Sequence, residues 1–347
     1  MKRFILYLFL GLLVAAAAYG GYRYFLRRAP SAGTEGPAPP LLSVMPPAPP
    51  YLIYADVDAL RASSFLQGLI ATVPAPATDP DYQRFIRETG FDYQRDLHRV
   101  GVAIFPASPQ PIVVTAADGD FDQQKIQAYA LRTGAQQQSD GRTVYVIPSD
   151  TAGRSVFLTF LNAHRIELIS AATGTKPDFT GRSFASAPAS ANGGSGAADM
   201  SVRVNRVAGS ALFAVARTDS WPENMNFGSI RADQVRNLMG SITWLTLAAV
   251  PEGGNLRVAL EGECKTAGDA RELSLTLDGL RFFARGMMAE PSTRRQFTPA
   301  GAATLEEILK LVDVSRDDTR IRLMVALTPK MLEGLAAAPP AAQHGTN

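Results

Sequence analysis

The sequence predicts an α+β protein: two ferredoxin-like units, each of split β-α-β order, behind an N-terminal transmembrane helix. Three observations predict it. Phe4 to Tyr22 is a run of 19 residues without a charge. The remaining chain alternates short β-branched and aromatic runs with helical patterns, cut by Gly, Pro and Asp turns. The two halves on either side of a Gly/Ser/Ala-rich stretch at 173–198 repeat one order of elements: strand, helix, strand, turn, strand, helix, strand. That order is the split β-α-β layer.

The N-terminal run comes first. A helix of that length spans about 28 Å, close to one hydrocarbon core. Lys2 and Arg3 precede it, and Arg23, Tyr24, Phe25, Leu26, Arg27 and Arg28 follow it. Arginines interleaved with aromatics suit a headgroup border, so residues 1–28 read as a retained signal anchor. Cleavage near Ala16-Ala17-Ala18 is the rival reading. The charges on the two sides nearly balance. A short N-terminal tail stays inside by default, which places the body outside the cytoplasm, on the periplasmic side of the inner membrane. Residues 29–50 carry eight prolines and read as an extended spacer, whose Leu41 to Met45 could already dock on the body.

In the first unit, 51–172, Tyr51 to Val57 reads as a strand, and Asp58 as the cap of a helix bearing Leu60, Phe65, Leu66 and Leu69. Asp81 to Glu88 is a helix stopped by Gly90. Strands follow at Val100–Phe105 and Ile112–Ala117, then a helix at Phe121–Thr133 with Gly134 as its stop, a strand at Thr143–Ile147, and a hairpin of Val156–Leu161 with Arg165–Ile169. The second unit, 199–337, gives strands at Ala211–Ala216, Ile242–Val250 and Leu256–Cys264, and a helix at Ile230–Met239. Asp269–Met288 is the strongest helix of the body. Its Leu273, Leu277, Leu280, Ala284 and Met287 form one stripe, suited to packing on a sheet or to a dimer seam. Leu305–Val312 is a shorter helix, Arg320–Leu327 an alternating strand, and Pro329 opens a last helix. Residues 338–347 read as a flexible tail.

Composition bounds the function. The 347 residues suffice for two domains, and 46% hydrophobic content suffices for a core. The formal charge of +2 is misleading. Without the five cations that flank the apolar run, 29 basic residues face 32 acidic ones, so the body offers no field for nucleic acid. The single cysteine, Cys264, excludes an intrachain disulfide and reads as a small apolar strand residue. The three histidines, His98, His164 and His344, show no metal-ligand spacing.

Candidate chemistry is sparse. Asp118, Asp120 and Asp122 alternate like the opening of a calcium loop and are the candidate metal ligands. Gln123 stands where that loop needs glycine, and Tyr129 where it needs glutamate. A strand end followed by helix caps explains the same aspartates. Asp56 and Asp58 at a strand end read as caps before catalytic carboxylates. Ser195 in Gly-Gly-Ser-Gly and Thr173 to Lys176 lack the contexts of a nucleophile elbow and a phosphate loop. Trp221 and Trp244 read as packing residues, and Phe91 to Arg99 as an amphipathic turn. No cofactor is implied.

Three stretches carry a resemblance: Tyr54-Ala55-Asp56-Val57-Asp58-Ala59-Leu60-Arg61, Phe91-Asp92-Tyr93 through Asp96-Leu97, and Gly119-x-Phe121-Asp122-x-x-Lys125-Ile126. With the N-terminal anchor, the chain resembles uncharacterised bacterial envelope proteins that have a single anchor and a duplicated α+β body. The resemblance covers the first half best, to about residue 170, implies an exported bacterial protein, and transfers no activity or site residue. The expectation is therefore a membrane-anchored, non-catalytic binding or scaffolding module for an envelope protein or glycan. The rival is an envelope hydrolase whose carboxylates (Asp56, Asp118, Asp120) converge only on folding.

Overall fold

The computed structural model describes residues 35–72, 80–107, 110–139, 141–149, 151–175, 177–179, 196–220, 240–294 and 297–336. Phe4 to Tyr22, Ile230–Met239, Ser195, Trp221 and the tail 338–347 lie outside them. Along the chain run β1 (Tyr51–Asp56), α1 (Val57–Arg61), α2 (Ser64–Thr72), α3 (Pro80–Thr89), α4 (Tyr93–Asp96), β2 (Leu97–Phe105) and β3 (Ile112–Gly119). There follow α5 (Gln123–Thr133), β4 (Ala135–Ser139), β5 (Arg142–Pro148), β6 (Arg154–Asn162), β7 (Arg165–Ala172), α6 (Gly196–Asn205) and β8 (Leu212–Arg217). The remainder is β9 (Ile242–Glu252), β10 (Asn255–Cys264), α7 (Ala267–Ala289), α8 (Pro291–Arg294), α9 (Pro299–Leu311), β11 (Asp313–Asp317), β12 (Arg320–Leu327) and α10 (Pro329–Ala336).

The described residues divide into two compact units, one of 35–60 with 80–220, the other of 61–72 with 240–336. The first holds eight strands in the order β8-β1-β2-β3-β7-β6-β5-β4. The second holds four, in the order β11-β12-β10-β9. The strand pairings within each unit are antiparallel.

This topology overturns the two ferredoxin-like units. A split β-α-β layer inserts a third strand between the first two and leaves those two parallel. Here β1 pairs directly and antiparallel with β2, Tyr51 opposite Ile104. Its other neighbour is β8, the strand expected to open the second unit. In the second unit β10 lies directly between β9 and β12. The order of elements is compatible with either layer; only the pairing separates them. The expected transmembrane helix gains no support, and Phe4 to Tyr22 lies outside the described residues. Among the described residues no helix is long and apolar enough to cross a membrane.

Local signals explain most elements. Gly90 ends α3 in the left-handed region at φ 74°. Asp92 accepts from Gln94 N and caps α4. Asp122 accepts from Lys125 N and caps α5. Thr266 and Asp269 cap α7 reciprocally. On one face of the first sheet, Ile126 and Ala130 of α5 pack on Tyr145 and Leu158. On β2, Leu42 and Met45 of the proline-rich stretch close over Gly101, with Leu41 and Met45 buried. That docking was anticipated in Leu41 to Met45. In the second unit Ala270 and Leu273 of α7 pack with Ile242, Ile321 and Cys264, a free, buried thiol that burial pushes up in pKa.

Candidate functional site

Four strands of the first unit end side by side, and residues at or near their ends alternate in charge. Asp56 closes β1 opposite Arg99 of β2. Arg99 lies opposite Asp118 of β3, and Asp118 opposite Arg165 of β7. The resulting row is Asp56, Arg99, Asp118, Arg165. Directly opposed opposite charges stabilise a sheet, and like charges would repel. Arg165 grips Asp118 with both arms, Nε to Oδ1 at 2.6 Å and Nη2 to Oδ2 at 3.0 Å. That fork is the strong form of the pair, and it holds the guanidinium proton more tightly than usual. Arg99 Nε meets Asp56 Oδ2 at 3.3 Å. Tyr54, one turn of the pleat inside, is pushed up to about 12 by burial and then by the Asp56 charge.

A second row lies beyond the first. The ladder between β2 and β3 slips between Leu97 and Arg99, so His98 sits at a bulge. Bulges re-aim side chains. His98 Nδ1 lies 2.9 Å from Asp58 Oδ2, and its Nε2 lies 3.3 Å from Asp120 Oδ2. Asp120 also faces His164 Nδ1 at 3.7 Å. This outer row is Asp58, His98, Asp120, His164. The hydrogen bond to Asp58 raises the His98 pKa, burial opposes it, and the charges of Asp58 and Asp120 support it. The imidazolium is therefore favoured in the folded protein. Its contribution to stability is full below the ordinary histidine range and is lost as pH rises through the raised value.

The backbone holds the outer row in place. Asn162 Oδ1 accepts from His164 N in the β6–β7 turn. Gly119 N donates to His164 O, and Asp120 N donates to Asp96 O. A Cβ at Gly119 would lie 2.5 Å from Asp96 O, so only glycine lets β3 end against α4. Asp96 is buried, and the Arg95 guanidinium keeps its carboxyl below the usual range.

The structure separates the three aspartates proposed as metal ligands. Asp118 is gripped by Arg165, Asp120 stands between the two histidines, and Asp122 caps α5 and pairs with Lys125 Nζ at 2.9 Å. Among the described residues no group of three or more His, Cys, Asp and Glu side chains is placed to hold a metal. Asp56, not Asp58, accepts from Ala59 N at the start of α1, which leaves Asp58 to His98. His98, Arg99, His164 and Arg165 were not singled out from the sequence as site residues. Their signal was the alternation of acids and bases at successive strand ends.

No family model matches the chain, and no curated protein matches it. Solved crystal forms of TP0453 are similar. Form III aligns at a TM-score of 0.44 and 9% identity over 86% of this chain and 98% of that one. Form I gives 0.41 at 9% identity over 86% and 97%. Form IV gives 0.41 at 10% identity over 88% and 98%. Likeness at this level is distant and carries no argument about function, in keeping with a resemblance that transfers no activity.

Proposed function

We propose that the protein is a non-catalytic binding or scaffolding module that works in the cell envelope, outside the cytoplasm. It recognises an envelope protein or a glycan through the two charged rows at the strand ends. One observation carries this reading: the acids of both rows are answered within the site, yet the outer row stays open to solvent. The Asp120 and His164 side chains are 66% and 77% exposed. Preset, exposed acceptors and donors suit hydrogen bonding to a polar partner. The extracytoplasmic setting rests on the uncharged run Phe4 to Tyr22 and the cations that flank it. Crosslinking of the full chain in envelope fractions tests the reading. Asp120→Asn with His164→Ala is expected to remove the captured protein or glycan while the fold persists. Capture that is unchanged in the double variant would sink it.

A second reading has one observation in its favour: His98 touches two carboxylates, Asp58 and Asp120. A histidine so held is a candidate general acid for a hydrolase. Turnover of ester or glycoside substrates that disappears in His98→Ala would favour it over the binding module.

A further inference from the structure

The bulge on β2 aims one imidazole at two carboxylates, and the two contacts are unequal. His98 Nδ1 lies between both oxygens of Asp58, 2.9 Å from Oδ2 and 3.2 Å from Oδ1. Nε2 faces a single oxygen, Asp120 Oδ2, at 3.3 Å. A neutral imidazole carries one N–H and one lone pair. Donating to both carboxylates at once therefore requires the doubly protonated ring. Once a proton leaves, one nitrogen turns its lone pair on a carboxylate oxygen, and that contact becomes repulsive. The proton that stays is the one on Nδ1, which has two acceptors and the shorter distance. The contact that breaks is the one to Asp120.

We propose that His98 is a proton-operated latch on the outer row: protonated, it holds Asp58 and Asp120 together, and neutral, it keeps Asp58 and sets Asp120 free for the partner. The partner's side of this rests on the reading of that row as a binding site. Opening the latch needs no refolding. Asp120 N stays on Asp96 O and Gly119 N on His164 O, so only the Asp120 side chain turns. His164 Nδ1, 3.7 Å from Asp120 Oδ1, is too far to hold it by a hydrogen bond. The other charges around the ring have partners of their own. On α4, Asp96 feels the His98 charge but is bonded to Arg95 Nε at 2.6 Å. Arg99, next in the strand, meets Asp56. The Asp58 bond raises the His98 pKa most, burial opposes it, and both carboxylate charges support it, so the latch opens above the ordinary value of 6.5. Below the midpoint the open fraction grows about tenfold per pH unit, above it the fraction levels off, and the partner's apparent affinity follows.

Proton–nitrogen spectra of the full chain in detergent, labelled at the histidine nitrogens, follow the ring directly, and His98→Asn locates its signals. The ring is expected to titrate above 6.5, with the neutral form protonated on Nδ1. The Asp120 carboxyl carbon is expected to shift through the same midpoint, and to lose that step in His98→Asn. Photo-crosslinking of the full chain in envelope fractions reads the consequence. His98→Asn can place an amide donor where Nδ1 stood and has nothing where Nε2 stood, so it mimics the open latch. Wild-type capture is expected to fall about tenfold or more between about pH 8 and about pH 5, and capture by His98→Asn to be equal at both. A neutral ring protonated on Nε2 overturns the proposal. So does an Asp120 carboxyl that ignores the His98 midpoint. So does wild-type capture that needs Asp120 yet is the same at both pH values. Failure of the binding reading looks different: capture that survives Asp120→Asn with His164→Ala removes the partner, while the ring and Asp120 still titrate together and the latch stands.

Discussion

Glu167 is a carboxyl in the wrong place for a carboxylate. It is 1% exposed on β7, opposite Thr159 of β6 and Ala116 of β3, both buried. Arg142 Nη1 stands 3.5 Å from its Oε2, and neither atom has a hydrogen-bond partner. Burial pushes its pKa up to about 7, the Arg142 charge opposes that, and Asp178 adds to it. The folded state therefore holds a proton that the unfolded chain releases near its ordinary value of 4.5. Stability is greatest below that value, falls as pH rises, and has lost about 3 kcal/mol once pH passes 7. Glu167→Gln mimics the protonated side chain. It is expected to be neutral at pH 5 and to stabilise by about 2–3 kcal/mol at pH 8. Urea unfolding at the two pH values checks this, and a variant weaker than wild type at pH 8 contradicts it. Nothing in the sequence marked Glu167, because its cost arises only when β3 and β6 close on either side of β7.

Elements were more legible than their pairing. The helix expected at Phe121–Thr133 is α5, the strand at Thr143–Ile147 is β5, and Arg320–Leu327 is β12 to the residue. Period and caps are local, so a single sequence carries them. Pairing is not local. β7 inserts between β3 and β6, and that single insertion brings Arg165 to Asp118 and His164 to Asp120. Asp122 was legible as a cap because capping needs only three residues. Asp118 needed a partner 47 positions away, and Asp120 needed His98 and His164, each more than 20 positions away. Gly134 shows a right position with a different reason. Its role was read as a helix stop, and it is the residue that ends α5, in extended geometry at φ −151°. Glycine is required there because a Cβ would lie 1.8 Å from Val146 O of β5. Gly134→Ala must push the start of β4 off β5. It is expected to cost about 1–3 kcal/mol or more, visible as a lower melting temperature and faster exchange of the β4 amides. An unchanged melt would mean that the turn yields without strain.

At the scale of the whole chain, sequence order and membership of a unit part company. The run between β1 and β2 reads as one continuous stretch of the first half, but α2 belongs to the second unit. It packs on β9, β10 and α10. Ser64 Oγ donates to Gly253 O in the β9–β10 turn. Gly68 lies under Pro329, whose Cγ would sit 3.1 Å from a Cβ. Phe65, 3% exposed, is the buried aromatic of this helix. The division into 51–172 and 199–337 followed the glycine-rich stretch, a cue to chain flexibility that says nothing about where a preceding helix docks. Phe65→Ala removes a buried ring and is expected to cost about 3–5 kcal/mol. Most substitutions before residue 172 should loosen the strands beside them in sequence. This one should instead be felt from β9 onward, because the elements on which its helix packs lie there. Hydrogen exchange read by mass spectrometry separates the cases. The expected result is lost protection in β9, β10 and α10 before any loss in β5 to β7. Loss that begins in β1 and β2 would place the helix with its sequence neighbours instead.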